Sequence, residues 1–134
     1  MKQLLRQEDG VSLAELALLL PVFLLLVLGV FDFGNGFNTY IGMTNAAREG
    51  ALWIASFPDD KVGMEARINT ELARVGLNPG EFTVTPIPNK SSYNSGEKVT
   101  VQIEHIYPMM FGAMTKFAAI TLHTETTTAI ITDP

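Results

Sequence analysis

One acidic side chain lies inside the most apolar part of this sequence. Glu15 is followed by sixteen uncharged and almost wholly apolar residues, Leu16 to Phe31. A charged side chain well inside hydrocarbon costs about 2.5 to 3.5 kcal/mol on insertion scales, and such residues usually face a partner rather than lipid. Glu15 therefore predicts a partner that neutralises it.

The distance in sequence from Gly10 to Glu15 indicates what this partner could be. Cleavage after Gly10 would give Val11 a new α-amino group and would make Glu15 the fifth residue of the product. This amine and the carboxylate would lie one helical turn apart, so the two groups could neutralise one another between adjacent subunits of a helical stack. If the chain is cut there, the chemistry that follows is ion pairing between these two groups.

Two histidines are the other candidates for chemistry. His105 and His123 lie on separate predicted strands, with Glu104 and Glu125 close to them in sequence. Such a group could hold a metal ion or transfer protons, but the sequence contains no HExxH, GxSxG or P-loop pattern and no cysteine. We expect surface pairing between strands instead, and we predict no catalytic residue, no metal site and no cofactor.

The residues around Gly10 and Glu15 resemble those of a known family. A glycine, a cleavage site and a glutamate at position five before a hydrophobic helix are typical of type IV prepilins. Further segments extend the resemblance to the TadE-like pilins or pseudopilins of tight-adherence secretion systems: Gly10 to Leu20, Leu20-Pro21, Phe31-Asp32-Phe33-Gly34 and Asn45 to Ala51. Leu16 departs from the pattern, because family members often carry an aromatic residue after the glutamate.

The resemblance implies a structural role and no enzymatic activity. It implies processing after Gly10 by a prepilin peptidase, extraction from the bacterial inner membrane by a pilus assembly platform, and incorporation beside other pilin subunits into an adhesive pilus. Membrane lipid would surround the helix before assembly, and Glu15 would be the docking residue. The alternative is a signal-anchored monomeric periplasmic binding domain, which leaves Gly10 and Glu15 unexplained.

Composition and charge restrict the other partners. The chain has 134 residues and a net charge of −5, and no basic stripe is present that would bind nucleic acid. Lys2 and Arg6 precede the apolar run, and the positive-inside rule keeps such residues in the cytoplasm. We therefore expect the C-terminal head to lie outside the cytoplasm, and outside the cell if the subunit enters a pilus.

The apolar run and the residues after it predict one long helix. We expect a leader at residues 1–10, a helix at 11–57 that spans the membrane in its first half, and a small head domain at 58–134. Pro21 lacks a backbone donor, so we predict a kink there. We expect the head to begin some twenty residues after Pro21 and to make no contact near it.

The head is predicted to combine one helix with three strands. The helix runs from Lys61 to Val75, with Asp60 as its cap and Gly76 as its stop, and one face of it is apolar: Met64, Ile68, Leu72 and Val75. Strands are expected at 82–85, closed by Pro86, and at 120–131. A third is expected where Val99, Val101 and Ile103 alternate with polar residues, and it includes His105. An apolar connection at 108–116 carries Met109, Met110 and Met114, which we interpret as adaptable packing.

The predicted fold class is therefore α+β. A long kinked N-terminal hydrophobic helix carries a small head of one further helix and a roughly three-stranded antiparallel sheet. The sheet is expected to lie across the alanine-rich half of the long helix, which contains Ala46, Ala47, Ala51 and Ala55.

Overall fold

The computed structural model describes the backbone of residues 2–114 and 118–131 and the side chains of residues 10–112 and 118–131. Its elements, in chain order, are helices α1 (Lys2–Ser56) and α2 (Lys61–Arg74) and strands β1 (Phe82–Ile87), β2 (Lys98–Pro108) and β3 (Ala119–Ala129). Short 3-10 helices lie at Pro79–Glu81 and Met110–Met114. The predicted α+β class, with a long helix, a second helix and a three-stranded antiparallel sheet, is confirmed.

Helix α1 continues through Pro21 without interruption. Proline is tolerated there because its missing donor costs one backbone hydrogen bond and the flanking turns remain. The segment Gly10–Ser56 is long and apolar enough to cross a membrane, and none of its most apolar stretch is buried against the rest of the chain. The predicted kink stays a prediction.

The second half of α1 forms one wall of the hydrophobic core. Ala46, Ala47, Ala51 and Ala55 are at most 1% exposed, as the small-residue face predicts. Gly50 lies on the same wall, and a methyl group placed on it would come 2.5 Å from Ile68 Cδ1 of α2. Small side chains on α1 therefore let the second layer of the head approach the helix backbone closely.

The sheet has the strand order β1-β2-β3, with both neighbouring pairs antiparallel. Alternate residues of β2 face the core, and Val99, Val101 and Ile103 are fully buried, which confirms the prediction from their alternation. The sheet lies across the second half of α1, which contacts both β2 and β3. The core thus lies between one face of α1, the apolar face of α2 and the inner face of the sheet.

Two strand boundaries differ from the prediction. Pro86 lies inside β1 and pairs with Val101, although we expected it to close the strand. A proline is tolerated at this position because β1 is an edge strand and needs its donors on one side only. Strand β3 ends at Ala129, before the predicted Ile131, because the N–H of Ile131 donates to the carbonyl oxygen of Ala55 in α1, at 2.9 Å.

Helix α2 begins and ends at the predicted signals. The Asp60 side chain accepts a hydrogen bond from the Gly63 N–H at 2.8 Å, and Gly76 has a φ of +79°, which glycine adopts readily. The helix stops at Arg74, so Val75 is its C-terminal cap. The expectation that Val75 shares the buried face was wrong, because the backbone has already left the helical path there and the side chain is 42% exposed.

Packing of α2 on α1 gives a direct test of the core. Ile68 is fully buried, whereas Val62 on the same helix is 80% exposed. We expect Ile68→Ala to lower the free energy of unfolding of the head by about 2 to 5 kcal/mol, because it removes buried methyl groups and leaves a cavity. Val62→Ala is the control and should change it little. Denaturant unfolding of the detergent-solubilised chain, followed by the fluorescence of Trp53, measures both, and equal midpoints would contradict this packing.

Candidate functional site

The predicted processing and docking residues lie at the start of the exposed part of α1. Val11 and Glu15 are one turn apart and lie on the same side of the helix, where they line a shallow depression with Ala14, Leu18 and Leu19. Every one of these side chains is exposed. The structure thus brings Val11 and Glu15 together, while Pro21 lies farther along the helix and does not line the depression.

Gly10 has no packing role within the described residues. A methyl group placed on it would meet no atom within 4 Å, and its φ is not positive. A glycine in the interior of a helix costs about 1 kcal/mol relative to alanine. Neither the packing nor the backbone conformation of the described chain therefore accounts for a glycine at this position.

Glu15 takes part in none of the ion pairs formed among the described side chains. Its neighbours in the depression are apolar. Because a carboxylate surrounded by hydrocarbon is costly, Glu15 needs either water or a positively charged partner at this surface. The geometry leaves the carboxylate available to another molecule.

Asp32 forms the second polar feature of α1, at the end of the apolar run. Its two carboxylate oxygens accept hydrogen bonds from the backbone N–H groups of Met110 and Phe111, at 2.8 and 2.9 Å, and the residue is 4% exposed. These donors belong to the first turn of the 3-10 helix Met110–Met114, where the backbone has no partners of its own. A single side chain therefore fastens the connection between β2 and β3 to the long helix.

An apolar groove, which we name the junction groove, opens beside Asp32 between α1 and the sheet. Its volume is about 370 Å³, and its lining is Gly29, Asp32, Phe33, Gly36, Phe37, Tyr40, Tyr107, Met109, Phe111, Ile120 and Leu122. Burial and the nearby Asp32 carboxylate raise the pKa of Tyr107 above its ordinary value of 10.0, so the hydroxyl stays neutral at physiological pH. The groove therefore presents rings and alkyl groups almost exclusively.

Sequence reasoning gave Asp32 no role of its own. In the structure Asp32 binds the head, eleven residues beyond Pro21. The signal available in the sequence is a lone carboxylate between Phe31 and Phe33, directly after the apolar run. Its partners are backbone amides far along the chain, which no side-chain pattern reveals.

The two histidines lie on opposite faces of the sheet. His123 is paired with Glu104 across the strands, with 3.3 Å between Nδ1 and Oε1 and both side chains exposed, so the expected surface pairing is confirmed for His123. For His105 it was wrong. This residue is 7% exposed, its Nδ1 lies 2.9 Å from the Glu81 carbonyl oxygen, and its ring stacks on Phe82.

The alternation of side chains along a strand explains this difference. Glu104 and His105 are consecutive in β2, so an outward Glu104 turns His105 inward. The histidines therefore do not share a site, and the described residues contain no cluster of three or more potential metal ligands. Glu125 lies near His123 on the exposed face, with 3.8 Å between Oε2 and Nε2.

One comparison with known proteins matches the part of α1 that contains the predicted processing and docking residues. The family model described as TadE-like protein matches residues 10–52. No curated protein and no solved structure matches the chain. The matched segment includes Gly10, Glu15 and Asp32 and ends in the part of α1 that packs against the head. The predicted resemblance is therefore confirmed over residues 10–52, where the chain matches the TadE-like family model.

Proposed function

We propose that this chain is a structural, non-catalytic pilin-like subunit of a tight-adherence pilus or of its assembly apparatus. In this proposal it is processed after Gly10 and assembled through α1. The family match and the apolar N-terminal helix together support a pilus-associated protein that is anchored in a membrane. The finer role concerns processing and docking, and it is supported by the surroundings of Gly10 and Glu15.

The observation that carries the proposal is the largely exposed apolar run of α1 from Leu16 to Phe31, with one carboxylate directly before it. A helix that is apolar on all sides needs either lipid or other helices around it. Lipid satisfies the side chains from Leu16 to Phe31 but not Glu15, whereas a bundle of identical helices satisfies both once an amine is available. The same surface therefore fits a membrane before assembly and a bundle after it.

Cleavage after Gly10 supplies this amine. The new amino group of Val11 would lie about 6 Å below Glu15 along the helix axis. A parallel neighbour displaced along the axis by a similar distance would place its amine level with the Glu15 carboxylate. Pairing between two charges that are both withdrawn from water offsets part of the cost of their desolvation, and removal of one partner leaves the other uncompensated.

The partners in this proposal follow from the two steps. A prepilin peptidase cuts the leader, an inner-membrane assembly platform removes the subunit from lipid, and other pilin subunits receive it. The head lies outside the cytoplasm at every stage, and outside the cell in the finished pilus. N-terminal sequencing of the mature chain separates this function from a monomeric periplasmic binding domain, because only the pilin subunit begins at Val11.

The first prediction from this proposal concerns processing. We expect Gly10→Val to retain the leader, because a peptidase that reads the glycine before the cleavage site would not accept a β-branched side chain. Gly34→Val is a matched control, since Gly34 lies on the same helix and a methyl group there also meets no atom within 4 Å. Intact mass spectrometry of chains from piliated cells measures the result. Wild-type chains that still carry Met1 to Gly10 would show the processing step to be wrong.

The second prediction concerns the charge. Glu15→Ala removes the unfavourable insertion term, so membrane residence should persist while incorporation into filaments falls by at least tenfold. Glu15→Gln keeps the size of the side chain and removes the charge, and it should fail in the same way if ion pairing is the cause. Membrane fractions and sheared filaments are measured by immunoblot from the same cells. Normal incorporation of both variants would contradict a docking role for Glu15.

A further inference from the structure

The hydrogen bonds of Asp32 fix the position of the head relative to the apolar half of α1. Asp32 is the first residue after the run that ends at Phe31. Because both carboxylate oxygens bind the backbone of the 3-10 helix Met110–Met114, this turn lies at the level of residue 32 along the helix axis. The contact between head and helix therefore begins directly at the end of the apolar run.

The length of the run then sets the depth of this turn in a membrane. A bilayer has a hydrocarbon core about 30 Å thick, and an α-helix rises about 1.5 Å per residue, so about twenty residues cross it. The segment from Val11 to Phe31 has this length. A bilayer centred on it has its outer hydrocarbon boundary at Asp32, which places the 3-10 helix at the level of the lipid headgroups.

Exposed apolar side chains occur in α1 just beyond Asp32 and in the segment from the end of β2 to the start of β3, which contains the bonded turn. They are Phe33 75%, Phe37 55%, Ile106 71%, Met110 60% and Ile120 43%. We call these five residues the membrane-facing end. Tyr40 and Tyr107 line the junction groove beside it, and tyrosine is enriched where protein meets the membrane surface.

Two stretches of this part of the sequence carry no charge. No acidic or basic residue occurs from Ile106 to Gly112 or from Ala118 to Leu122. Lys116, in the segment between them, lies outside the described side chains. Among the residues that line the junction groove, Asp32 carries the single ionised group, and that group is buried and bonded to two backbone amides. Contact with lipid would therefore desolvate no unpaired charge on the described surface.

We propose that the membrane-facing end lies in the boundary between headgroups and acyl chains of the leaflet on the head's side, and that Asp32 holds it at this depth. The occupant of this surface is phospholipid. The inference rests on the proposed function in one respect, which is that α1 spans a bilayer before assembly. It adds a second lipid contact, made by the head itself, which restrains the tilt and rotation of the head over the membrane.

The absence of cysteine from the chain permits a clean test by single-site labelling. Three variants of the full chain, Phe23→Cys, Met110→Cys and Val62→Cys, carry an environment-sensitive fluorophore in phosphatidylcholine vesicles. Two lipids are used, one brominated near the glycerol end of the acyl chain and one near its methyl end, because bromine quenches only fluorophores close to its own depth. Phe23 lies in the run and is 62% exposed, and it reports whether α1 is in the bilayer at all.

Val62 is the matched control on the head. It is 80% exposed and lies in the first turn of α2, whose cap Asp60 accepts a hydrogen bond from Trp53 Nε1. Trp53 lies 21 residues beyond Asp32, which is about 30 Å farther along α1. We expect the fluorophore at Phe23→Cys in the lipid brominated near the methyl end, and the one at Met110→Cys in the lipid brominated near the glycerol end, each to be quenched at least twofold more than the one at Val62→Cys in the same lipid.

The outcomes separate this inference from the proposed function. Strong quenching at Phe23→Cys with Met110→Cys no more quenched than Val62→Cys overturns the lipid contact and leaves the spanning helix intact. Failure of quenching at Phe23→Cys overturns the membrane-spanning role and the inference with it. If the fluorophore at Met110→Cys is withdrawn from water only as the ratio of protein to lipid rises, a second copy of the chain covers the surface instead of lipid. This result also overturns the inference.

The role of Asp32 is tested in the Met110→Cys background. Asp32→Ala removes both acceptors and should lower the quenching to the level of Val62→Cys, while Asp32→Asn keeps one acceptor oxygen and should give an intermediate value. Trp53 emission reports whether the head remains folded in each variant. Full quenching in the Ala variant with unchanged Trp53 emission would show that Asp32 does not set the depth of the turn.

Discussion

The head depends on the close approach of α2 and the sheet to the second half of α1. Gly50 and the buried alanines present almost bare backbone to their neighbours, and Ile68 packs into the space this leaves. A head of this size has little apolar surface to bury within itself, since small domains remove a smaller fraction of their surface from water. Because one face of α1 forms a wall of the core, the head has a core that the residues after α1 could not form alone.

This arrangement gives α1 two different surroundings along its length. From Leu16 to Phe31 the side chains are uncharged and most are exposed. In the second half of the helix one face is buried, while residues such as Arg48 and Glu49 remain in solvent. Asp32 lies where the exposed apolar part of α1 ends and the part that is buried on one face begins. Its carboxylate satisfies backbone donors of the head, so the polar group that ends the apolar run is also the first contact of the core.

Much of this architecture could be predicted because local signals and tertiary packing agree. The apolar run, the alternation of Val99, Val101 and Ile103, and the cap and stop of α2 each depend on neighbours within a few residues. The family resemblance rests on the same N-terminal segment. For these elements the local residue pattern alone is enough to predict the structure that is observed.

The features that sequence reasoning missed depend on partners far away in the chain. Pro86 fits inside β1 only because that strand lies at the edge of the sheet, which depends on strand order. The inward direction of His105 follows from the register of β2, and its polar atom is satisfied by a carbonyl group of another element. Asp32 binds backbone amides nearly eighty residues later, so its role depends on where the connection between β2 and β3 comes to rest.

The unbroken course of α1 from the apolar run into the core has a mechanical consequence. A force that pulls on the first half of the helix reaches the head along a stiff rod, without a slack segment to take up extension. The contacts of α1 with α2, β2 and β3 lie side by side along this rod, so such a force loads them together in shear and does not peel them apart one at a time. Withdrawal of the helix from its surroundings would therefore move the folded head as one body.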